Sequence, residues 1–157
     1  MEGLVAMFKV VRTGENVLGN LIYDKSEYSF DFKPVKTTDT VLMIGYLHMG
    51  INSETMLAQQ VWGYNPYTAW TEKGLIVPNY CIGELRFEGE IQSGSSKRLV
   101  EVEQWATSYD VSLGWICIGD DSFSQNDVVV EFATNTLACI NGGVLKSIWL
   151  KPLFTNE

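Results

Sequence analysis

Histidine occurs once, at position 48, which narrows the catalytic options at once. A nucleophile–histidine–acid relay would have to run through His48, in Gly45-Tyr46-Leu47-His48-Met49-Gly50, and no Gly-x-Ser-x-Gly elbow accompanies it. A structural or exposed role is expected for it. No Cys-x-x-Cys or His-Glu-x-x-His spacing occurs, so neither a closed zinc site nor a cofactor is expected. Asp120, Asp121 and Asp127 lack the Asp-x-Asp-x-Asp-Gly frame and distal Glu of a calcium loop, and read as solvated turn acids. Gly142-Gly143 is too short for a phosphate cradle. The longest apolar runs fall far short of the ~20 residues that span a bilayer, so no membrane partner is expected.

Other absences concern compartment and organisation. Three cysteines, Cys81, Cys117 and Cys139, are odd in number and widely spaced among apolar neighbours, as reduced core thiols are. The stretch Met1-Glu2-Gly3-Leu4-Val5-Ala6-Met7-Phe8-Lys9 has an early acid and no basic n-region, making a poor secretory signal. A cytoplasmic location is the expectation. Only four prolines, no low-complexity tract and no internal repeat are present, so residues 1–157 read as a single β domain.

What is present is globular: 46% apolar, 19% charged, with five Trp, seven Tyr and seven Phe. Gly83-Glu84-Leu85-Arg86-Phe87-Glu88-Gly89-Glu90-Ile91 alternates apolar with charged residues, as a half-buried strand does. After Ser93-Gly94-Ser95-Ser96, the run Leu99–Trp105 alternates again, with Val100 and Val102 expected inward and Glu101 and Glu103 outward. A hairpin is predicted here. A second is predicted at the C-terminus, where Thr136–Ile140 and Val144–Leu150 flank Asn141-Gly142-Gly143, and Pro152 stops the strand.

Further strands are predicted at Val5–Val11, Val17–Tyr23, Tyr28–Phe32, Val41–Leu47, Gly114–Ile118 and Val128–Phe132. Ser53–Val61 reads as a helix capped by Asn52 or Ser53, or else as a strand feeding Trp62. About ten short strands without βαβ spacing predict a mainly β fold. The expected architecture is an antiparallel β-sandwich or partly open barrel with at most one or two short helices.

Carboxylate-only glycoside hydrolysis would have to use Glu84, Glu88, Glu90, Glu101 or Glu103. These occupy the polar phase of amphipathic strands, where any half-exposed sheet carries charge, so no enzyme is expected. Charge placement is more informative. Between Arg98 and Lys146 there is no Lys or Arg, while seven of the nineteen acids lie there: Glu101, Glu103, Asp110, Asp120, Asp121, Asp127 and Glu131. The segment thus holds seven of the eight net negative charges.

Two readings follow from that segregation. A single-sign surface attracts a basic partner and speeds encounter, or it merely keeps the domain soluble. The interleaved aromatics Trp105, Tyr109 and Phe123 favour the first, as interface anchors. Nucleic acid is disfavoured by pI 4.6 and by the lack of a basic cluster beyond Lys97-Arg98. A second candidate surface is the aromatic loop 62–70, with Trp62, Tyr64, Tyr67 and Trp70 around Gly63 and Asn65-Pro66. Exposed, it would stack on carbohydrate or another small ligand; buried, it would be a satellite of the core.

The acidic β character and the terminal run Val128-Val129-Val130-Glu131-Phe132 … Leu137–Pro152 resemble bacterial immunity proteins. These accompany polymorphic toxins, including those of contact-dependent growth inhibition systems. The resemblance implies a cytosolic, non-enzymatic inhibitor that covers the active site of a basic toxin domain, often a nuclease. On this reading Glu101, Glu103, Asp110, Asp120, Asp121 and Asp127 supply the complementary surface.

Overall fold

Leu21 and Tyr23 on one strand, and Phe30 and Phe32 on the next, point inward, while Ile22 and Asp31 between them stay partly in water. This two-residue alternation recurs through the chain, because successive side chains of a strand leave opposite faces. The computed structural model describes residues 7–156. Its strands begin with β1 (Phe8–Val11), β2 (Asn20–Asp24), β3 (Ser29–Lys33), β4 (Thr40–Ile44), β5 (Leu47–Asn52) and β6 (Leu57–Tyr64). A single 3-10 turn at Tyr67–Ala69 precedes β7 (Thr71–Glu72), β8 (Cys81–Ile82), β9 (Glu84–Phe87), β10 (Ser96–Val100) and β11 (Thr107–Asp110). Then come β12 (Trp115–Gly119), β13 (Asp127–Ala133), β14 (Thr136–Asn141), β15 (Val144–Leu150) and β16 (Leu153–Thr155).

Two mixed sheets result, neither closed into a barrel, and the fold is a mainly β sandwich. One sheet runs β10-β4-β5-β6-β3-β2-β16, with β9 joined to both β6 and β1. The other runs β7-β11-β12-β15-β14-β13-β8. Neighbours in the interior are antiparallel. At both ends of each of these two runs the last strand is parallel to its neighbour: β10 to β4, β16 to β2, β7 to β11 and β8 to β13.

Residues of both sheets fill one core, including Phe8, Tyr23, Phe32, Phe87, Ile116, Phe132 and Ile148. The second sheet is apolar on its outer face too. Trp115, Cys117, Leu137, Cys139 and Trp149 pack there beneath Leu75 and Val77 of the segment after β7. The unbroken run Trp115-Ile116-Cys117-Ile118, buried throughout, is the sequence signature of a strand covered on both faces.

The predicted C-terminal hairpin forms, with Gly142 and Gly143 both at positive φ in its turn. Pro152 does end β15, after which the chain crosses to the other sheet and pairs as β16 with β2. The hairpin predicted for 83–105 does not form. β9 pairs with β1 and β6, while β10 lies parallel to β4. Alternation fixes which side chains point inward, not which strand supplies the ladder. The run Leu99–Trp105 also stops being a strand at Val100, so Val102 is exposed in a turn rather than inward.

Of the two readings of Ser53–Val61 the helix does not form, and the strand feeding Trp62 does from Leu57 on, as part of β6. Asn52 caps as expected, its side chain accepting from the Glu54 and Thr55 N–H groups. The coil lasts one turn, closed by Met56 N–H to Asn52 C=O, and Met56 at φ 65° turns the chain into β6. The strand predicted at Val41–Leu47 is broken at Gly45-Tyr46, the turn between β4 and β5. Of the strand predicted at Val5–Val11, Val5 and Ala6 lie outside the described residues.

Candidate functional site

The turn at Gly45-Tyr46 shapes one wall of a cleft between the two sheets. Gly45 sits at φ 62°, the first central position of a two-residue hairpin, where glycine matches the twist of the flanking strands. Its N–H donates to Val100 C=O at 2.8 Å, and a Cβ here would lie 3.3 Å from Val102 Cα. Tyr46 therefore projects from the hairpin tip, 55% exposed, and meets Tyr64 at the end of β6 with ring centroids 5.9 Å apart.

The facing wall is the stretch from Val100 to Thr107. It reverses in a turn closed by Gln104 N–H to Glu101 C=O, and Gly119 N–H donates to Ala106 C=O at 3.0 Å. The enclosed volume is about 550 Å³. Ile44, Leu47, Val100, Thr107 and Ile118 are buried at its floor, while Tyr46, Tyr64, Glu101, Val102 and Glu103 are exposed at its rim. Trp105 is half-buried between them. The cleft is apolar below and acidic above.

Asn65 holds this end of the sandwich together. Its N–H donates to Tyr28 C=O and its carbonyl accepts from the Tyr23 hydroxyl at 2.6 Å. Its side chain accepts from Trp70 Nε1 at 2.7 Å and donates to Thr107 Oγ1, on the opposite sheet, at 3.2 Å. The Tyr23 hydroxyl in turn accepts from Tyr67 N–H. Burial pushes the Tyr23 phenol up to about 12, so it stays a neutral donor.

The acids of the predicted partner surface separate into two groups. Asp110 is enclosed, accepting from the N–H groups of Leu75 and Leu113, which hold its carboxyl below the ordinary aspartate range. Asp127 is pushed up by burial, but hydrogen bonds from Lys146 at 2.7 Å, Asn141 and Ser124 outweigh this and leave it lowered. Asp121 pairs with Lys73 at 2.9 Å. Glu131, in the same segment though outside that predicted surface, binds Asn16 and the Asn135 N–H. Bases from outside the segment thus meet part of it, a pairing that a linear charge count does not see.

Glu101, Glu103 and Asp120 form the other group. Glu101 approaches Arg98 at 3.8 Å, with both side chains largely in water, where such a pair contributes little. Among the described residues no base forms a direct ion pair with Glu103 or Asp120, although the Lys146 charge acts on Asp120 from farther off. Asp120 is lowered by the Ser122 hydroxyl and N–H, a local turn contact. Since Thr107 pairs with Ile118, the loops before β11 and after β12 leave the same end of the sheet. Glu101, Glu103 and Asp120 stand on those two loops, with Phe123, 72% exposed, on the second.

The aromatics also divide. Tyr109 and Trp70 lie in one internal cluster with Tyr23 and Phe154, at centroid separations of 4.8–5.6 Å for the contacts Tyr23–Trp70, Trp70–Tyr109 and Tyr109–Phe154. They are packing residues. Trp62 sits on β6 edge-on to His48, and Tyr67 lies under the Lys25 ammonium. Of the four aromatics predicted on the loop 62–70 only Tyr64 lines the cleft, beside Asn65, Pro66 and Ala69 of the same loop, and from the predicted partner set Glu101, Glu103 and Trp105 do. The two candidate surfaces therefore meet in one place.

Sequence reasoning missed Tyr46, Asn65 and Val102. The Gly-Tyr dipeptide between two apolar strands was the available signal for the first. Burial lowers the pKa of His48, and its described ring contact is with Trp62. Among the described residues no three His, Cys, Asp or Glu side chains converge to hold a metal ion, and no helix is long and apolar enough to cross a membrane. No protein-family model matches this chain, and no curated protein matches it.

Proposed function

We propose that this chain is a non-enzymatic binding protein of the immunity type, which acts in the cytoplasm by neutralising a basic toxin domain. The observation that carries the reading is the shared rim: Glu101 and Glu103 stand beside Tyr46, Tyr64 and Trp105 around one apolar cleft. Fully desolvated aromatic anchors inside a polar, charged rim are the usual anatomy of a strong protein interface. In action the rim carboxylates, with Asp120 alongside, occupy positions that nucleic-acid phosphates take in a nuclease groove. The same glutamates suit catalysis poorly, because both are solvent-exposed and a general acid needs a desolvated carboxyl.

The test begins with the gene beside the one for this chain. Its product is expected to end in a basic domain that arrests growth when expressed alone. Co-expression of this chain restores growth, and the variant Glu101→Lys/Glu103→Lys/Asp120→Lys does not. Arrest that persists beside the native chain, or is relieved equally by the variant, contradicts the reading.

A second reading rests on the cleft's size, which lies within the roughly 300–1,000 Å³ of small-molecule sites. A carbohydrate or other small ligand held there would be lost on Tyr64→Ala and indifferent to the acid reversals.

A further inference from the structure

The cleft is polarised from floor to mouth, and that gradient constrains what can sit in it. Ile44, Leu47, Val100 and Ile118 at the floor are each at most 8% exposed. A charged head pushed down among them would lose its hydration without a partner, at heavy cost. Glu101 and Glu103 stand at the mouth instead, where they meet a cation that remains near water. The complementary group therefore has an apolar part that goes in and positive charge that stays at the entrance. Val102, 43% exposed between the two glutamates, extends the apolar wall up to the rim.

We infer that the cleft is the seat for an apolar side chain, aromatic or aliphatic, borne on a basic segment of the protein partner. The inference rests on the proposed function and specifies the chemistry of its contact. The rings of Tyr46 and Tyr64, packed edge to face with centroids 5.9 Å apart and planes inclined at 73°, together form one aromatic wall beside the inserted side chain. Lysines or arginines on either side of it pair with Glu101 and Glu103. Apolar burial holds the complex, and the carboxylates select and steer it.

Three blocked pentapeptides test this by isothermal titration: Lys-Arg-Phe-Arg-Lys, Lys-Arg-Gly-Arg-Lys and Glu-Glu-Phe-Glu-Glu. The first should bind about tenfold more tightly than the second, the gain expected from burying much of one phenyl group. The acidic peptide should not bind. Ala69→Trp, a substitution at an exposed residue lining the cleft, should remove the advantage of phenylalanine and leave the weak charge-driven binding. Glu101→Lys/Glu103→Lys should abolish binding of both basic peptides.

Equal, salt-sensitive binding of the phenylalanine and glycine peptides would overturn the apolar seat and leave the acidic contact with a basic protein standing. Binding of the acidic peptide as tightly as the basic one would overturn the role of the glutamates, and with it the proposed function. An Ala69→Trp variant that folds, by its circular dichroism, and still prefers phenylalanine would place the seat elsewhere and overturn the inference.

Discussion

The Asn65 side chain donates to Thr107 Oγ1 across the gap between the sheets, at 3.2 Å, and so fixes the width of the cleft from below. The same amide accepts from Trp70 Nε1. Asn65→Ala removes both bonds and leaves the indole N–H without its partner. Unfolding in urea should show a loss of about 1–3 kcal/mol, the usual cost of stranding such groups.

Tyr23 has no exposure, and its hydroxyl both donates to Asn65 C=O and accepts from Tyr67 N–H. Its folded pKa is raised to about 12 from an ordinary value of 10.0. The folded state therefore holds this proton more firmly than the unfolded chain. The contribution is full below pH 10 and is lost as pH rises from 10.0 towards about 12. Alkaline unfolding followed by circular dichroism should weaken across that window, and Tyr23→Phe should flatten the dependence while costing about 1–2 kcal/mol at neutral pH.

Asp127 and Lys146 form the best-shielded ion pair among the described residues, with side chains 3% and 14% exposed. Asp127→Asn should cost about 2–3 kcal/mol, less than the ~3–5 of a fully buried pair because Lys146 keeps contact with water. The Asp127 carboxyl is held below 3.8 in the folded state. Its contribution is present above that value and lost as pH falls through the folded pKa, so the native chain should lose more stability on acidification than Asp127→Asn does.

Trp70→Ala separates packing from recognition. The ring touches Tyr23, Phe30, Tyr109 and Phe154 inside the sandwich. The substitution should lower stability by about 3 kcal/mol, as large core deletions do. Tyr64→Ala, at an exposed ring, should leave the melting temperature nearly unchanged and weaken partner binding. The opposite pattern in a thermal melt and a binding titration would reverse these assignments.

Much of the sandwich was legible because its strands carry a two-residue period or a continuous apolar run. Trp115–Ile118 and the Asn-Gly-Gly turn needed nothing further. The helix reading of Ser53–Val61 misled, where the strand reading holds from Leu57, because Asn52 is a true cap, and a cap has the same chemistry before one turn as before four. Strand partners were hidden for a different reason. Glu84–Phe87 and Ser96–Val100 alternate alike, but each takes its ladder from a strand distant in sequence. The site was half legible: the 98–146 charge gap pointed to Glu101 and Glu103. Lys73 and Lys146, brought in by the fold, removed Asp121 and Asp127 from the surface count.

The most direct measurement is stopped-flow association with the purified basic domain from the neighbouring gene, at two ionic strengths, for the native chain and for Glu101→Lys/Glu103→Lys. Electrostatic steering predicts a native rate that falls steeply with added salt, as the Debye length shrinks to about 8 Å at 0.15 M. The variant should associate at least about tenfold more slowly at low salt and converge on the native rate at high salt. Equal rates for the two chains at both ionic strengths would contradict an acidic rim that recognises a basic partner.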